Sequence, residues 1–350
     1  MSVCGMRMGV GEALYTALPY TVLTLRSVSN AVMMAMLQST LDSVHGVNPI
    51  TLVVYQQLAS ASVLVALALL FDRGRRKPSL QIILWALLIG LLQITVPELL
   101  LTASLQYITA SVQSVGINTI PVVVFVLAVL VGREKFSWCS AYGQAKLWGV
   151  FTSVIGAILV VVASNSDSTS AFNGFWLGVL FVAAAVISLS ASILLVERVA
   201  IEYESDLTLS AMMCSFGMIQ TVIVAVIMVR DLSSWKIHTD TLELPVILFG
   251  GMLATGVFFY GQNWCIHTRG PVFGAVFTPL VVVFSFLFQI LFFKSETNIK
   301  CVIGAVLVVG ALYLLLWAKT RDRKEEIALI DDSGTLESSS REPLIVQNIA

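Results

Sequence analysis

The sequence predicts an all-α membrane protein of ten transmembrane helices, arranged as a 5+5 inverted repeat with both termini cytoplasmic. Three observations predict it: an apolar composition, ten apolar runs of membrane-crossing length, and a Gly/Pro pattern that recurs halfway along the chain. Of 350 residues, 57% are apolar and 12% are charged, against roughly 45–50% and about 25% in soluble domains. Mean hydropathy is +0.91. A water-soluble globule needs more polar surface than this chain supplies.

Crossing the hydrocarbon core takes about 20 mostly apolar residues. The first five such runs are Ala17–Leu37, Thr51–Phe71, Ile83–Ala103, Ser111–Val131 and Leu147–Ala163. The next five are Gly174–Val196, Leu207–Val229, Leu244–His267, Pro271–Phe293 and Cys301–Trp317. The runs are continuously apolar and do not alternate, so helices are expected and not a barrel. No small-residue cleavage site follows a short apolar core in the first run, which reads as an uncleaved span.

Basic residues set the orientation. With the N-terminus inside, fifteen of the 20 Lys and Arg fall on inner segments, four on outer loops, and Arg26 inside a span. The expected organisation is a cytoplasmic N-terminus (1–16), a five-helix repeat (17–163) and a non-cytoplasmic linker (164–173). A second five-helix repeat (174–318) and a disordered cytoplasmic tail (319–350) follow.

Duplication is read from the fourth and ninth spans. Gly116 and Pro121 open one, and Gly274 and Pro279 open the other, at the same spacing. Each span ends on a charged cluster, Arg133-Glu134-Lys135 and Lys294-Ser295-Glu296, and a small-residue helix follows each. Five is odd, so the second copy enters from the opposite side, as in many secondary transporters.

Several function classes are excluded. The net charge of −1 leaves no footprint for nucleic acid. Three His and five scattered Cys, with no Cys-x-x-Cys, form no metal site or disulfide framework. No phosphate-binding Gly-x-x-x-x-Gly-Lys-Ser/Thr loop is present, and the loops are too short for a catalytic domain. The chain is therefore not read as an enzyme, and no cofactor is expected.

Several stretches carry a resemblance. They are Val54-Tyr55, Asn118-Thr-Ile-Pro121, Leu209-Ser-Ala-Met-Met-Cys214 with Gly217 and Gln220, and Arg230-Asp-Leu-Ser-Ser-Trp235-Lys. Trp264-Cys-Ile-His-Thr-Arg-Gly-Pro-Val-Phe273 and Leu312-Tyr-Leu-Leu-Leu-Trp317-Ala-Lys319 complete the set. In order, they resemble the plant drug/metabolite transporter superfamily with EamA-type repeats. More narrowly, the chain resembles the nodulin-21-like, or Walls-Are-Thin-related, transporters. The resemblance implies ten helices, a 5+5 inverted repeat, and movement of amino acids, auxin-like compounds or related metabolites. Two departures fall among polar span residues. Gln56 stands where the family often has Arg, and Pro97-Glu98-Leu99 where it often reads Asp-Gln-Asn.

Charged groups in spans are costly and usually face the bundle interior. Arg26 suits a substrate carboxylate, because its planar fork donates two bonds. Glu98 suits a substrate ammonium or a transported proton. The alternatives are an Arg26–Glu98 pair that locks two helices, and Arg26 snorkelling to the inner surface. Most span amides read as interhelical glue. Asn118 and Gln262 are the amides assigned to the site, as they adjoin the expected crossing of the repeats. Tyr260 and Trp264, one turn apart, are placed on the solute pathway, against an interfacial role for Trp264. Pro121, Gly270, Pro271 and Pro279 are assigned to hinge and packing geometry.

In the tail, Glu325 precedes Leu329-Ile330 by four residues, the pattern of an acidic dileucine sorting signal. The alternative is a surface helix with Lys319, Arg321, Arg323 and Lys324 on the headgroups. The expected function is a secondary transporter or facilitator for small amphipathic metabolites, chiefly amino acids, in the plasma or vacuolar membrane. Its partners would be the solute, the bilayer, sorting adaptors at the tail, and a second copy of the chain if it dimerises. The alternative is a membrane-embedded ligand sensor that signals through partners of its tail.

Overall fold

The computed structural model describes residues 10–43, 49–72, 77–104, 106–108, 116–132, 172–203, 205–230 and 243–278. It also describes isolated positions at 113, 144, 148, 149, 152, 235, 280, 281, 284, 288 and 310. The described residues are helices and their connections, with no strand among them. The fifth and tenth expected spans lie almost wholly outside this set.

In chain order, α1 is Val10–Ser43, α2 is Pro49–Phe71, α3 is Leu80–Ser104 and α4 is Ile120–Leu130. Then come α5 at Phe172–Glu202, α6 at Asp206–Met228, α7 at Leu244–Arg269 and α8 at Pro271–Val276. Five segments among the described residues are long and apolar enough to cross a membrane: Ile50–Phe71, Leu80–Ser104, Gly174–Glu202, Asp206–Met228 and Leu244–Arg269. Each coincides with an expected span. α5 outruns its expected end at Val196, because Glu197, Arg198 and Glu202 continue the helix beyond the apolar run.

Helix starts follow local chemistry. Ser79 and Ser205 cap α3 and α6, their hydroxyls accepting from the backbone N–H of Ile82 and Thr208. Such caps are worth about 1 kcal/mol each. Pro121 and Pro271 sit in the first turn of α4 and α8, where a missing N–H costs nothing.

Two helices change register midway. α3 widens to a π turn over Leu91–Thr95, and the Val96 N–H returns to the Leu91 carbonyl five residues back. Pro97 follows, with no N–H to give and a ring that crowds the carbonyl four residues back. α7 is π-helical over Phe249–Val257, where the Phe258 N–H reaches Leu253. Gly250, Gly251 and Gly256 fall within that stretch.

Packing fixes directions. α2 runs antiparallel to α6: Tyr55 meets Trp235 at one end, Ser60 meets Cys214 in the middle, and Asp72 meets Ser205 and Thr208 at the other. α2 runs parallel to α7, with Gln56 against Gly250 and Gly251 and Ser60 against Gly256. α3 likewise runs parallel to α6, with Gly90 against Met213 and Ile94 against Gly217. α1 opposes α7, and α5 opposes α3. So α1, α3 and α6 point one way, and α2, α5 and α7 the other.

These close approaches depend on glycine. A Cβ on Gly90 would lie 2.7 Å from the Met213 carbonyl oxygen, and one on Gly251 would lie 2.6 Å from that of Gln56. Small residues let membrane helices approach to backbone contact. The main core joins Leu64, Ile89, Val124, Val196, Met213 and Ile266. A second cluster holds Leu23, Cys265, Phe273 and Phe277.

Candidate functional site

Most buried polar groups of this bundle serve each other across helix interfaces. The Gln56 amide donates to the Val246 carbonyl at 3.4 Å. The Cys214 thiol faces both the Ser60 hydroxyl, at 3.0 Å, and Gln57 Oε1, at 3.9 Å. Thr95 donates to Gln220 Oε1 at 2.9 Å, and the Gln220 amide donates to the Leu87 carbonyl at 3.2 Å. Gln113 donates to the Leu101 carbonyl and to Ser104. Bonds of this type are worth about 0.6–2 kcal/mol each in membrane helices.

One end of the bundle gathers charged and polar groups. Asp72, just past α2, accepts from the hydroxyls of Ser205 and Thr208, the latter at 2.7 Å. His267 Nδ1 lies 2.9 and 3.0 Å from the two carboxylate oxygens of Asp206. Arg198 lies over the Trp85 ring, 6.0 Å from its centroid. Gly270 turns the chain from α7 into α8 at φ +91°, a conformation suited to glycine.

Against this background some buried groups stand out. Arg26 Nε, Ser29 Oγ, Gln93 Oε1, Asn118 Oδ1, Thr221 Oγ1 and Asn263 Oδ1 have no hydrogen-bond partner among the described residues. A buried polar atom left unbonded costs roughly 1–3 kcal/mol, so each calls for a ligand, water or a functional role.

Arg26 stands midway along α1. Glu98 follows Pro97 on α3 and is half-buried. The two do not form an ion pair among the described residues. α1 packs on α7, whereas α3 packs on α5 and α6. Arg26 and Glu98 thus stand on helices that pack against different neighbours. Asn118 is buried in the turn that leads into α4, a turn closed by Thr119 donating to the Gly116 carbonyl at 2.6 Å. Gln262 is buried on α7. Tyr260 packs on the main core and Trp264 on the second cluster, so neighbouring turns of α7 serve different surroundings.

Pro121, Gly270 and Pro271 open helices, as expected from their chemistry. Pro279, Glu325, Leu329 and Ile330 lie outside the described residues. Four of the unpartnered groups were not singled out by sequence reasoning as site residues: Ser29, Gln93, Thr221 and Asn263. Ser29 stands one turn from Arg26, which was the available signal. Asn263 was hidden among the span amides read as interhelical glue, and only packing shows that its amide donates to Ser210 while its carbonyl is left over.

The EamA-like transporter family matches twice, over residues 17–162 and 176–317. A WAT1-related protein of Arabidopsis thaliana is 27% identical over 330 residues, covering 87% of this chain and 91% of the relative. A second from the same plant is 31% identical over 300 residues, covering 80% of each. A solved crystal structure aligns at a TM-score of 0.63 and 16% identity over 84% of this chain and 98% of its own, and shares the fold. The two matched copies, the apolar helices and the length of the similarity agree: the chain belongs to the EamA-like transporter family, among the WAT1-related integral membrane transporters of small solutes.

Proposed function

We propose that the protein is a secondary carrier or facilitator for small amphipathic metabolites, chiefly amino acids, working by alternating access between two inverted five-helix repeats. The observation that carries this reading is a buried, unpartnered guanidinium atom, Arg26 Nε, midway along α1 of a transporter-family chain. A buried N–H of such a cation left unbonded there is costly unless a substrate meets it. Support for the inverted repeat comes from helix direction: α1 to α3 alternate in one sense, and α5 to α7 in the opposite sense. Both third helices, α3 and α7, carry a π segment.

In this mechanism the solute enters near the midplane, between the repeats. Arg26 receives a carboxylate. Glu98 takes an ammonium or couples a proton, while Asn118, Gln262, Tyr260 and Trp264 line the path. Ten spans with both termini inside follow from the basic asymmetry. The acidic dileucine pattern at Glu325, Leu329 and Ile330 would direct the protein between the vacuolar and plasma membranes.

The test is radiolabel flux in proteoliposomes against a panel of amino acids, auxin and nucleobases. Saturable counterflow of at least one amino acid is expected. Glu98→Gln is expected to lower flux and flatten its pH dependence, and Arg26→Lys to lose bidentate carboxylate binding while keeping the charge. Saturable binding with no counterflow of any probe would replace the carrier with a sensor.

A further inference from the structure

α1 turns one stripe toward α7. Pro19, Val22, Arg26, Ser29 and Met33 recur at intervals of three and four, which puts them on one helix face. Both ends of the stripe are anchored. The Cys265 thiol donates to the Pro19 carbonyl at 3.7 Å. A Cβ on Gly261 would meet Val22 Cγ1 at 2.6 Å. At the far end Met33 lies against Gly250, and its sulfur accepts from the Gln56 amide at 3.8 Å. Arg26 and Ser29 are the two middle positions. The spacing of the anchors sets the α7 backbone opposite them between Gly250 and Gly261, in and just after the π-helical stretch Phe249–Val257.

Hydroxyls on α1 ordinarily return to their own helix. Thr21 donates to the Leu18 carbonyl, Thr24 to that of Tyr20, and Ser27 to those of Leu23 and Phe277. Ser29 breaks this habit: it is 5% exposed and its hydroxyl has no partner among the described residues. One turn away, Arg26 Nε is buried and unpartnered too. Arg26 offers only N–H donors, and Ser29 adds an O–H. Two adjacent unused donors, one of them cationic, call for an anion with two acceptor oxygens in one plane. A carboxylate has that shape and that single charge. The π-helical stretch opposite interrupts the regular ladder of α7, and such interruptions recur at functional sites.

We propose that Arg26 and Ser29 form a carboxylate subsite between α1 and the π-helical stretch of α7, which holds the acid end of the transported solute. This rests on the carrier reading above and adds to it a second binding residue, Ser29, and a place for the subsite in the bundle. The subsite selects for the carboxylate itself and is indifferent to whether an amino acid or an aromatic acid carries it.

The experiment uses the purified full-length protein with four probes: L-phenylalanine, L-phenylalaninamide, indole-3-acetate and indole-3-acetamide. Thermal shift measures binding, and proteoliposome counterflow measures transport. At least one acid is expected to raise Tm while its amide does not, and which acid responds tells an amino acid carrier from an aromatic acid carrier. Ser29→Ala is expected to weaken acid binding about tenfold, the scale of one hydrogen bond to a charged group. Arg26→Lys is expected to weaken it at least as much. Without ligand, Ser29→Ala is expected to melt at the wild-type temperature or above, because an unsatisfied hydroxyl has been removed. A lower unliganded Tm for Ser29→Ala would show a structural role and overturn the subsite. An equal response to acid and amide, or no response to any probe, would also overturn it. Acid-specific binding without counterflow overturns the carrier and leaves the subsite standing. Counterflow without preference for the acid does the reverse.

Discussion

The α2/α6 seam and the α1/α7 face use similar polar residues to opposite ends. Along the seam, polar groups meet across the interface: Tyr55 donates to the Trp235 carbonyl at 2.7 Å, Ser60 meets Cys214, and Asp72 collects the hydroxyls of Ser205 and Thr208. Along the α1/α7 face, Arg26 Nε and the Ser29 hydroxyl are buried with no partner among the described residues. Satisfied polar pairs tie elements together and ask for nothing more. Unsatisfied ones cost stability, so their presence points to work done with another molecule. The seam ties the two family copies together at three levels, whereas the α1/α7 face holds groups in reserve.

The largest loss is expected beside the seam, where its helix α6 also packs on α3 at a glycine. Gly90→Val places a Cβ 2.7 Å from the Met213 carbonyl and 3.1 Å from the Gly217 nitrogen. Both are backbone atoms that cannot rotate away, so α3 and α6 must separate. The expected cost is about 3 kcal/mol or more, seen as a large fall in Tm and loss of the monodisperse peak in detergent. Gly310→Ala, where a Cβ meets nothing within 4 Å, is the control and is expected to match wild type.

Next in size is the polar tie at the end of the seam. Asp72→Ala removes the acceptor shared by Ser205 and Thr208. Hydrogen bonds to a charged group are worth about 1.5–3 kcal/mol, so a loss of about 2 kcal/mol is expected in detergent denaturation. Asp72→Asn keeps one acceptor oxygen and is expected to lose less. A double-mutant cycle with Thr208→Val isolates the Asp72–Thr208 share. An additive pair would mean that the Thr208 hydroxyl does not depend on Asp72, and this end of the seam would lose one of its ties.

How much of this was legible in the sequence differs between the same two regions. The helices themselves were legible, because apolar runs of membrane length have few other uses. Their ends were less so: hydropathy marks the bilayer, and α5 continues past it through Arg198 to Glu202. The burial of Arg26 was legible from its place in an apolar run. Its lack of a bond to Glu98 was not, because that depends on which helices become neighbours. The π segments were hidden as well. Pro97 and the glycines of Phe249–Val257 are compatible with a kink, a bulge or close packing, and only tertiary contacts select among these. Ser29 looked like any serine in a membrane helix, since an unmade bond leaves no mark on sequence.

The smallest effect tests whether an unpartnered hydroxyl carries the meaning given to it. Ser188 on α5 donates to the Leu92 carbonyl at 2.8 Å, bracing the π turn of α3. Ser188→Ala removes that bond, and about 0.6 kcal/mol is expected to be lost, the typical value for such a bond within membrane helices. Thr221 on α6 is 3% exposed and its hydroxyl has no partner among the described residues. Thr221→Val replaces the hydroxyl with a methyl of similar size and removes an unsatisfied group, so stability is expected to hold or rise by about 1 kcal/mol. The two substitutions differ little in volume and have opposite expected signs, so paired denaturation curves in one detergent decide the matter. A loss at Thr221→Val as large as at Ser188→Ala would mean that the Thr221 hydroxyl is bonded in the membrane. It would remove the inference from bare hydroxyls to function at Ser29 as well, leaving only Arg26 to mark the site.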